Sequence, residues 1–320
     1  MRTATTLCIL MSTAAAAWAE PLNIVTDIDP IHHLVSAISQ GVAEPARLMP
    51  PGTDPHDYAL RPSAARALQD ADVVIWVGHA LVPMLEEPIE TLAQTAKHIS
   101  LTDFAPVVLP PRTDDEPHHD EDADHDSDAH SDHDDHDDHD DHDDHGHAHD
   151  GDVDPHLWLH PQNLAAWSQT VAQALAEADP SNRDIYTRNA AAYSEAVQAS
   201  ADAAAIHLSA SLLASHDAKV IAYHDAFQYL EDALGLDGYG GLSPADGSAP
   251  GPAHLREMSH IISDEQISCV LAEPGYDVRL IDAAFDGHSY RLVVIDPLTA
   301  NLPDLFTMAA QALVPCLKGD

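Results

Sequence analysis

Three histidines sit in closely similar local settings: Gly52-Thr53-Asp54-Pro55-His56-Asp57-Tyr58, Asp154-Pro155-His156-Leu157-Trp158 and Tyr223-His224-Asp225-Ala226. Neutral imidazole is a ready ligand for borderline divalent metals. A proline before His56 and His156 stiffens the backbone, and the neighbouring aspartates can orient the rings from behind. Between the first two motifs, residues 114–150 carry eleven histidines (His118, His119, His125, His130, His133, His136, His139, His142, His145, His147 and His149) and 19 carboxylates, with no lysine or arginine. A tract of this composition reads as a metal binder. It cannot bury enough apolar surface to offset the entropy of ordering, so a disordered loop is expected.

The elements that must position these histidines alternate strand with helix. Leu22 to Thr26 reads as a strand and Pro30 to Gln40 as a helix; Pro62 opens a second helix. The run ADVVIWVG (71–78) is a buried-type strand, followed by a helix over 82–96 and a short strand from Lys97 to Leu101. After the tract come a helix from Gln162 to Ala178, a break at Pro180-Ser181, and an alanine-rich stretch over 182–214 without Gly or Pro. If continuous, that stretch spans about 50 Å and reads as a spine between two lobes; the alternative is two helices broken near Ser209. The alternation resumes with a strand at Lys219 to Tyr223 and a helix at Ala226 to Leu234. A Gly/Pro-rich segment over 235–252, a helix through 264, and strands at Ser268 to Ala272 and Leu292 to Ile295 complete it. Such alternation implies parallel, covered sheets. The expected fold class is α/β, two lobes each with a mainly parallel sheet, joined by one long helix. Ligands of open α/β sheets collect outside the carboxyl ends of strands, so the three motifs can converge on one cleft.

Composition bounds the function. Arg2, the apolar run Leu7 to Met11 and Ala17-Trp18-Ala19 make a secretory signal with cleavage after Ala19, and no later run approaches the length of a membrane span. The expected organisation is signal peptide 1–19, N-terminal lobe 20–180, linking helix 181–214 and C-terminal lobe 215–320, exported to a bacterial periplasm. Removal of Cys8 with the signal leaves Cys269 and Cys316, which an oxidising compartment allows to pair. Two thiolate metal ligands are the other reading, but they lack a partner spacing. The disulfide would enclose 46 intervening residues and add ~3–4 kcal/mol. The net charge of −41, and −22 without the tract, excludes nucleic acid as a partner and favours divalent cations.

The segments GTDPHDYALRPS, ADVVIWVG, DPHLWL, AYHDAFQYLEDALGL, CVLAEPGYD and the ending CLKGD, in this order over most of the mature chain, resemble the ZnuA-type periplasmic zinc-binding proteins. These are the solute-binding subunits of ABC importers for zinc and manganese. The resemblance implies two α/β lobes bridged by a rigid helix, with the metal held between them by His56, His156 and His224. It further implies a monomer that docks on a membrane permease, Zn(II) as the transported ligand, and an acidic His-rich loop of the kind zinc members carry. Asp277, at the end of Glu273-Pro274-Gly275-Tyr276-Asp277, is implied as fourth ligand, with water the alternative. Pro55 stands where some zinc members have a carboxylate. Manganese-type relatives carry a carboxylate at the third histidine's place, so His224 argues for zinc over a manganese or iron homologue. Cys269 and Cys316 match cysteines that are disulfide-bonded in close relatives. His160 stands where relatives more often have a small polar residue, as an auxiliary ligand or a surface side chain. The remaining histidines outside the tract, His79 among them, are read as structural or surface residues.

Two readings of other classes compete. A zinc hydrolase also uses three histidines and an open position, but the chain has no HExxH segment and no assignable general base. A pure metal sink would reside in residues 114–150, so deleting them would abolish tight binding. Otherwise the tract is a weaker collector beside the cleft, or a charge run that keeps the chain in solution. Ligating imidazoles must be neutral, so binding is expected to weaken as pH falls through about 6; tight zinc binding persisting in a titration at pH 5 would contradict histidine ligation.

Overall fold

The computed structural model describes residues 22–112, 153–212, 218–298 and 301–319. The expected signal peptide with its cleavage site, and all eleven tract histidines, lie outside these residues. Among the described residues, no helix is long and apolar enough to cross a membrane.

The chain begins with β1 (Ile24–Thr26), α1 (Asp29–Ser39), β2 (Ala46–Arg47), α2 (Pro62–Gln69), β3 (Val73–Trp76), α3 (Glu86–Leu92) and β4 (Lys97–Ser100). These strands form a parallel sheet in the order β2-β1-β3-β4. Val73 to Trp76 are buried on both faces, as a covered central strand requires. Two helices follow, α4 (Pro161–Ala178) and α5 (Arg183–Leu212). The second half contains β5 (Lys219–His224), α6 (Gln228–Leu234), β6 (Asp237–Ser243), α7 (Pro252–Asp264), β7 (Cys269–Ala272), α8 (Val278–Phe285), β8 (Arg291–Val294) and α9 (Leu302–Lys318). Its strands form a second parallel sheet, β6-β5-β7-β8.

Helix α5 is continuous over 30 residues, about 45 Å at 1.5 Å per residue. It packs against α1 and α4 of the first half and against α6 and α9 of the second, so it touches both. Its small side chains suit this role: Ala190, Ala201 and Ala204 are buried along it and let neighbouring helices approach closely. The alternative of a break near Ser209 does not occur; Ser209 returns its hydroxyl to the Ala205 and Ile206 carbonyls within the helix.

Four elements depart from expectation. The segment 235–252 contains β6, a seven-residue strand with three glycines, which sequence propensity disfavours. The glycines are there for space: a Cβ on Gly238 would lie 1.8 Å from the Glu231 carboxylate, and one on Gly241 would lie 2.5 Å from the Asp225 amide. Helices α8 and α9 and the two-residue β2 were also not anticipated.

Asp27 follows β1 and is fully buried, its Oδ2 accepting the Val77 amide at 2.8 Å across to the end of β3. Burial pushes its carboxyl up to about 6, with backbone amides pulling the other way. A raised carboxyl pKa stabilises the fold below the unfolded value and loses that contribution as pH climbs to the folded value. The window here runs from about 4 to about 6, and the loss is on the order of 3 kcal/mol at about 1.4 kcal/mol per unit. Asp27→Asn should therefore flatten denaturant-measured stability between pH 4 and 6 relative to the parent. Parallel curves for the two proteins would refute this account.

Candidate metal site

His224 ends β5, at the carboxyl edge of the second sheet. His156 precedes a single 3-10 turn, Leu157–Leu159, that leads into α4. His56 lies in the loop between β2 and α2. The fold brings all three together: a nitrogen of each ring lies within 4.8 Å of a nitrogen of the other two, and the ring centroids are 5.2 to 5.5 Å apart. Among the described residues this is the one such grouping of potential metal ligands.

Each ring is held differently. Asp54 Oδ1 accepts the His56 amide at 2.9 Å, shaping the loop rather than the ring. The His56 Nε2 atom is buried without a hydrogen-bond partner. Burial and the two neighbouring imidazoles depress the His56 pKa to about 4, which keeps its lone pair available. Asp154 is fully buried and its Oδ1 accepts both the amide of His156, at 3.0 Å, and its Nδ1, at 2.8 Å. That carboxylate fixes the tautomer and leaves Nε2 for the cluster. The His156 ring also rests on Trp158, whose Nε1 donates to the Pro297 carbonyl at 2.7 Å and so ties the two halves together. His224 places Nδ1 3.2 Å from Glu273 and Nε2 3.2 Å from the Ala245 carbonyl. Burial lowers its pKa, but Glu273 and that carbonyl together outweigh burial and raise it.

The trio lines a cleft of about 510 Å³ together with Asp54, Trp158, Glu273 and Asp296. Two buried imidazoles, a half-buried third with an orphaned nitrogen, and carboxylates in the lining form a donor set suited to a borderline dication.

Asp277 is not brought to this cluster. It is the N-cap of α8, its Oδ1 accepting the Arg279 amide at 3.0 Å, and both its oxygens face the Arg279 guanidinium at 2.6 to 3.1 Å. Arg279 accordingly holds the Asp277 carboxyl below its usual range. Three carboxylates do line the cleft, Asp54, Glu273 and Asp296, and Asp296 is the one not named from sequence. Asp296 lies two residues past the end of β8, and the strand-end rule that pointed to His224 extends to it. His160 is neither a surface residue nor part of the trio. It is 4% exposed, caps α4 by accepting the Gln162 amide on Nδ1, and sets Nε2 3.2 Å from Asp232 on α6. His79 pairs with Glu86.

The family model "ZnuA: Zinc-uptake complex component A periplasmic" matches residues 24–314. The chain is 38% identical over 323 residues to the "High-affinity zinc uptake system protein ZnuA" of Paracoccus denitrificans, covering 98% of both chains. It is 36% identical over 306 residues to the protein of that name from Brucella abortus, covering 92% of this chain and 90% of the relative. The same fold recurs in a crystal structure of ZnuA, with a TM-score of 0.70 at 20% identity, covering 93% of this chain and all of that one. It recurs also in the periplasmic zinc-binding protein TroA of Treponema pallidum, with a TM-score of 0.71 at 18% identity, covering 93% and 99%.

Proposed function

The chain belongs to the ZnuA family of periplasmic zinc-uptake components, and we propose that it captures Zn(II) at His56, His156 and His224 and delivers it to the membrane permease of an ABC importer. The observation that carries the residue assignment is the convergence of three imidazoles within 4.8 Å, two of them buried and the half-buried His56 with a nitrogen lacking any hydrogen-bond partner. A nitrogen-rich set favours zinc over manganese. Zinc is the cargo, so the site needs to fill and empty. The half-open cleft suits exchange, and the Asp154 and Glu273 carboxylates keep the rings oriented in between.

For the fourth position we favour Asp296. Asp296 lines the cleft with one oxygen accepting the Leu298 amide at 3.0 Å, Glu273 is engaged with His224, and Asp54, which likewise accepts a single amide, is the second candidate. Asp296→Ala is then expected to weaken zinc binding about 10- to 100-fold in a chelator competition, the range for losing a carboxylate that acts on a metal. Asp277→Ala should leave it within about twofold. The reverse order of effects would return the fourth place to Asp277.

We further propose that residues 114–150 collect zinc weakly beside the cleft. Support comes from their composition and from where the chain leaves and returns. Leu109 and Asp154 are hydrogen-bonded at 2.9 Å, two residues from His156. The deciding experiment is calorimetric titration of zinc and manganese into the mature protein with and without residues 114–150. We expect one tight zinc site, poorly filled by manganese, to survive the deletion while additional weaker equivalents vanish. Absence of a tight site in the shortened protein would move zinc binding into the tract and overturn the cleft assignment.

A further inference from the structure

Helix α6 begins four residues after His224 and is where the second half grips the first. Gln228 donates to the Pro110 carbonyl at 3.2 Å, and the Tyr229 hydroxyl lies 3.0 Å from both the Leu109 amide and the Asp154 carbonyl. Asp232 meets His160, and Glu231 meets Arg112. Arg112 is the centre of this grip. Its guanidinium reaches across from the first half to bond Asp225 at 2.9 Å and Glu231 at 2.6 Å, carboxylates whose side chains are 5% and 2% exposed. Asp225 adjoins His224, and Asp154, which orients His156, is the next carboxylate in the same buried field. The slot that receives Arg112 has been cleared: a Cβ on Gly238 would lie 2.8 Å from the guanidinium as well as against Glu231.

Resting on the zinc site assigned above, we propose that Arg112 is a positioning residue for zinc. It fastens the segment ending at Arg112, whose Leu109 carbonyl accepts the Asp154 amide beside His156 at 2.9 Å, onto the strand end carrying His224, and so sets the spacing of the histidines and the affinity for the ion. A planar, always-charged fork is suited to joining two carboxylates that point from different elements, whereas an ammonium makes one compact contact. With Arg112 gone, Asp225 and Glu231 lose the donor that both contact, and the tie from the first half to the strand end that holds His224 is lost with it.

The test uses the full mature chain with Arg112→Met, Arg112→Lys, Tyr229→Phe and His224→Ala. Zinc affinity is read by chelator competition, site geometry by the visible spectrum of bound Co(II), and folding by metal-free melting. Arg112→Met is expected to weaken zinc about 10- to 100-fold and to alter the cobalt bands, with partial recovery in Arg112→Lys. Affinity within about twofold of the parent and unchanged cobalt bands would overturn the proposal and leave an ordinary structural ion pair, whatever happens to the melting point. Should Arg112→Met fail to fold, Tyr229→Phe decides. It removes only the hydroxyl between Leu109 and Asp154 and is expected to lose affinity about tenfold; unchanged affinity overturns the clamp. His224→Ala separates the two levels: if it binds zinc like the parent, the site assignment falls and the clamp with it.

Discussion

His224→Ala is expected to lower zinc affinity at least about a hundredfold. Four-ligand zinc sites bind with apparent free energies of about 10–16 kcal/mol, which places a single ligand at roughly 3 kcal/mol and about two powers of ten in affinity. His224 has no substitute. It is the one member of the trio supplied by the second sheet, and the next donor along its strand end, Asp225, is committed to Arg112. Its removal leaves two imidazoles on the first half facing open space, so the cleft no longer binds across its two walls. The measurement is zinc titration into protein lacking residues 114–150, since weak multi-ion binding by eleven further histidines would hide the change. Affinity within tenfold of the parent would mean that the ion is held elsewhere. Replacement by Glu should instead retain a site but narrow the preference for zinc over manganese, because a hard oxygen replaces a borderline nitrogen.

The parts of this site visible in the sequence are those whose local chemistry is redundant. Strands such as β3 and β7 announce themselves as continuous apolar runs, and the three histidines stand beside aspartates, two of them also directly after a proline. What was not legible depends on contacts distant in the chain. Strand β6 was hidden because its glycines answer to Glu231, Arg112 and Asp225, not to strand propensity. The ligand at Asp277 was implied by the family resemblance alone. Asp277 instead serves as the N-cap of α8, a helix that was not placed from sequence. Asp296 was open to the strand-end argument, yet the argument needed β8 and its neighbours to be placed first. Arg112 carries no local signature at all, since its partners lie 113 and 119 residues away.

Replacing both cysteines of the 269–316 pair with alanine is expected to cost about 4 kcal/mol of stability while sparing zinc binding. Cys269 opens β7 and Cys316 sits near the end of α9, with their Cα atoms 5.5 Å apart and a sequence separation of 47. Without the bond, the unfolded chain regains the freedom of that loop, worth about 4 kcal/mol at this length. For a chain of this size the melting point should drop by roughly 8 °C, at about 2 °C per kcal/mol. The native contacts are largely independent of the bond: Leu305, Phe306 and Leu313 of α9 stay buried, and Arg291 still ties the Cys316 carbonyl to Ser268. The position of the bond on β7 separates stability from function. Cys269 begins the strand, whereas Glu273, which holds His224, follows the opposite end. Denaturant unfolding of the metal-free parent and double variant, paired with zinc competition, checks both halves of this expectation. A stability difference under about 1 kcal/mol would show that the reduced unfolded chain is already compact around these residues. A loss of affinity beyond tenfold would show instead that the anchoring of α9 reaches through β7 to the histidine at the cleft.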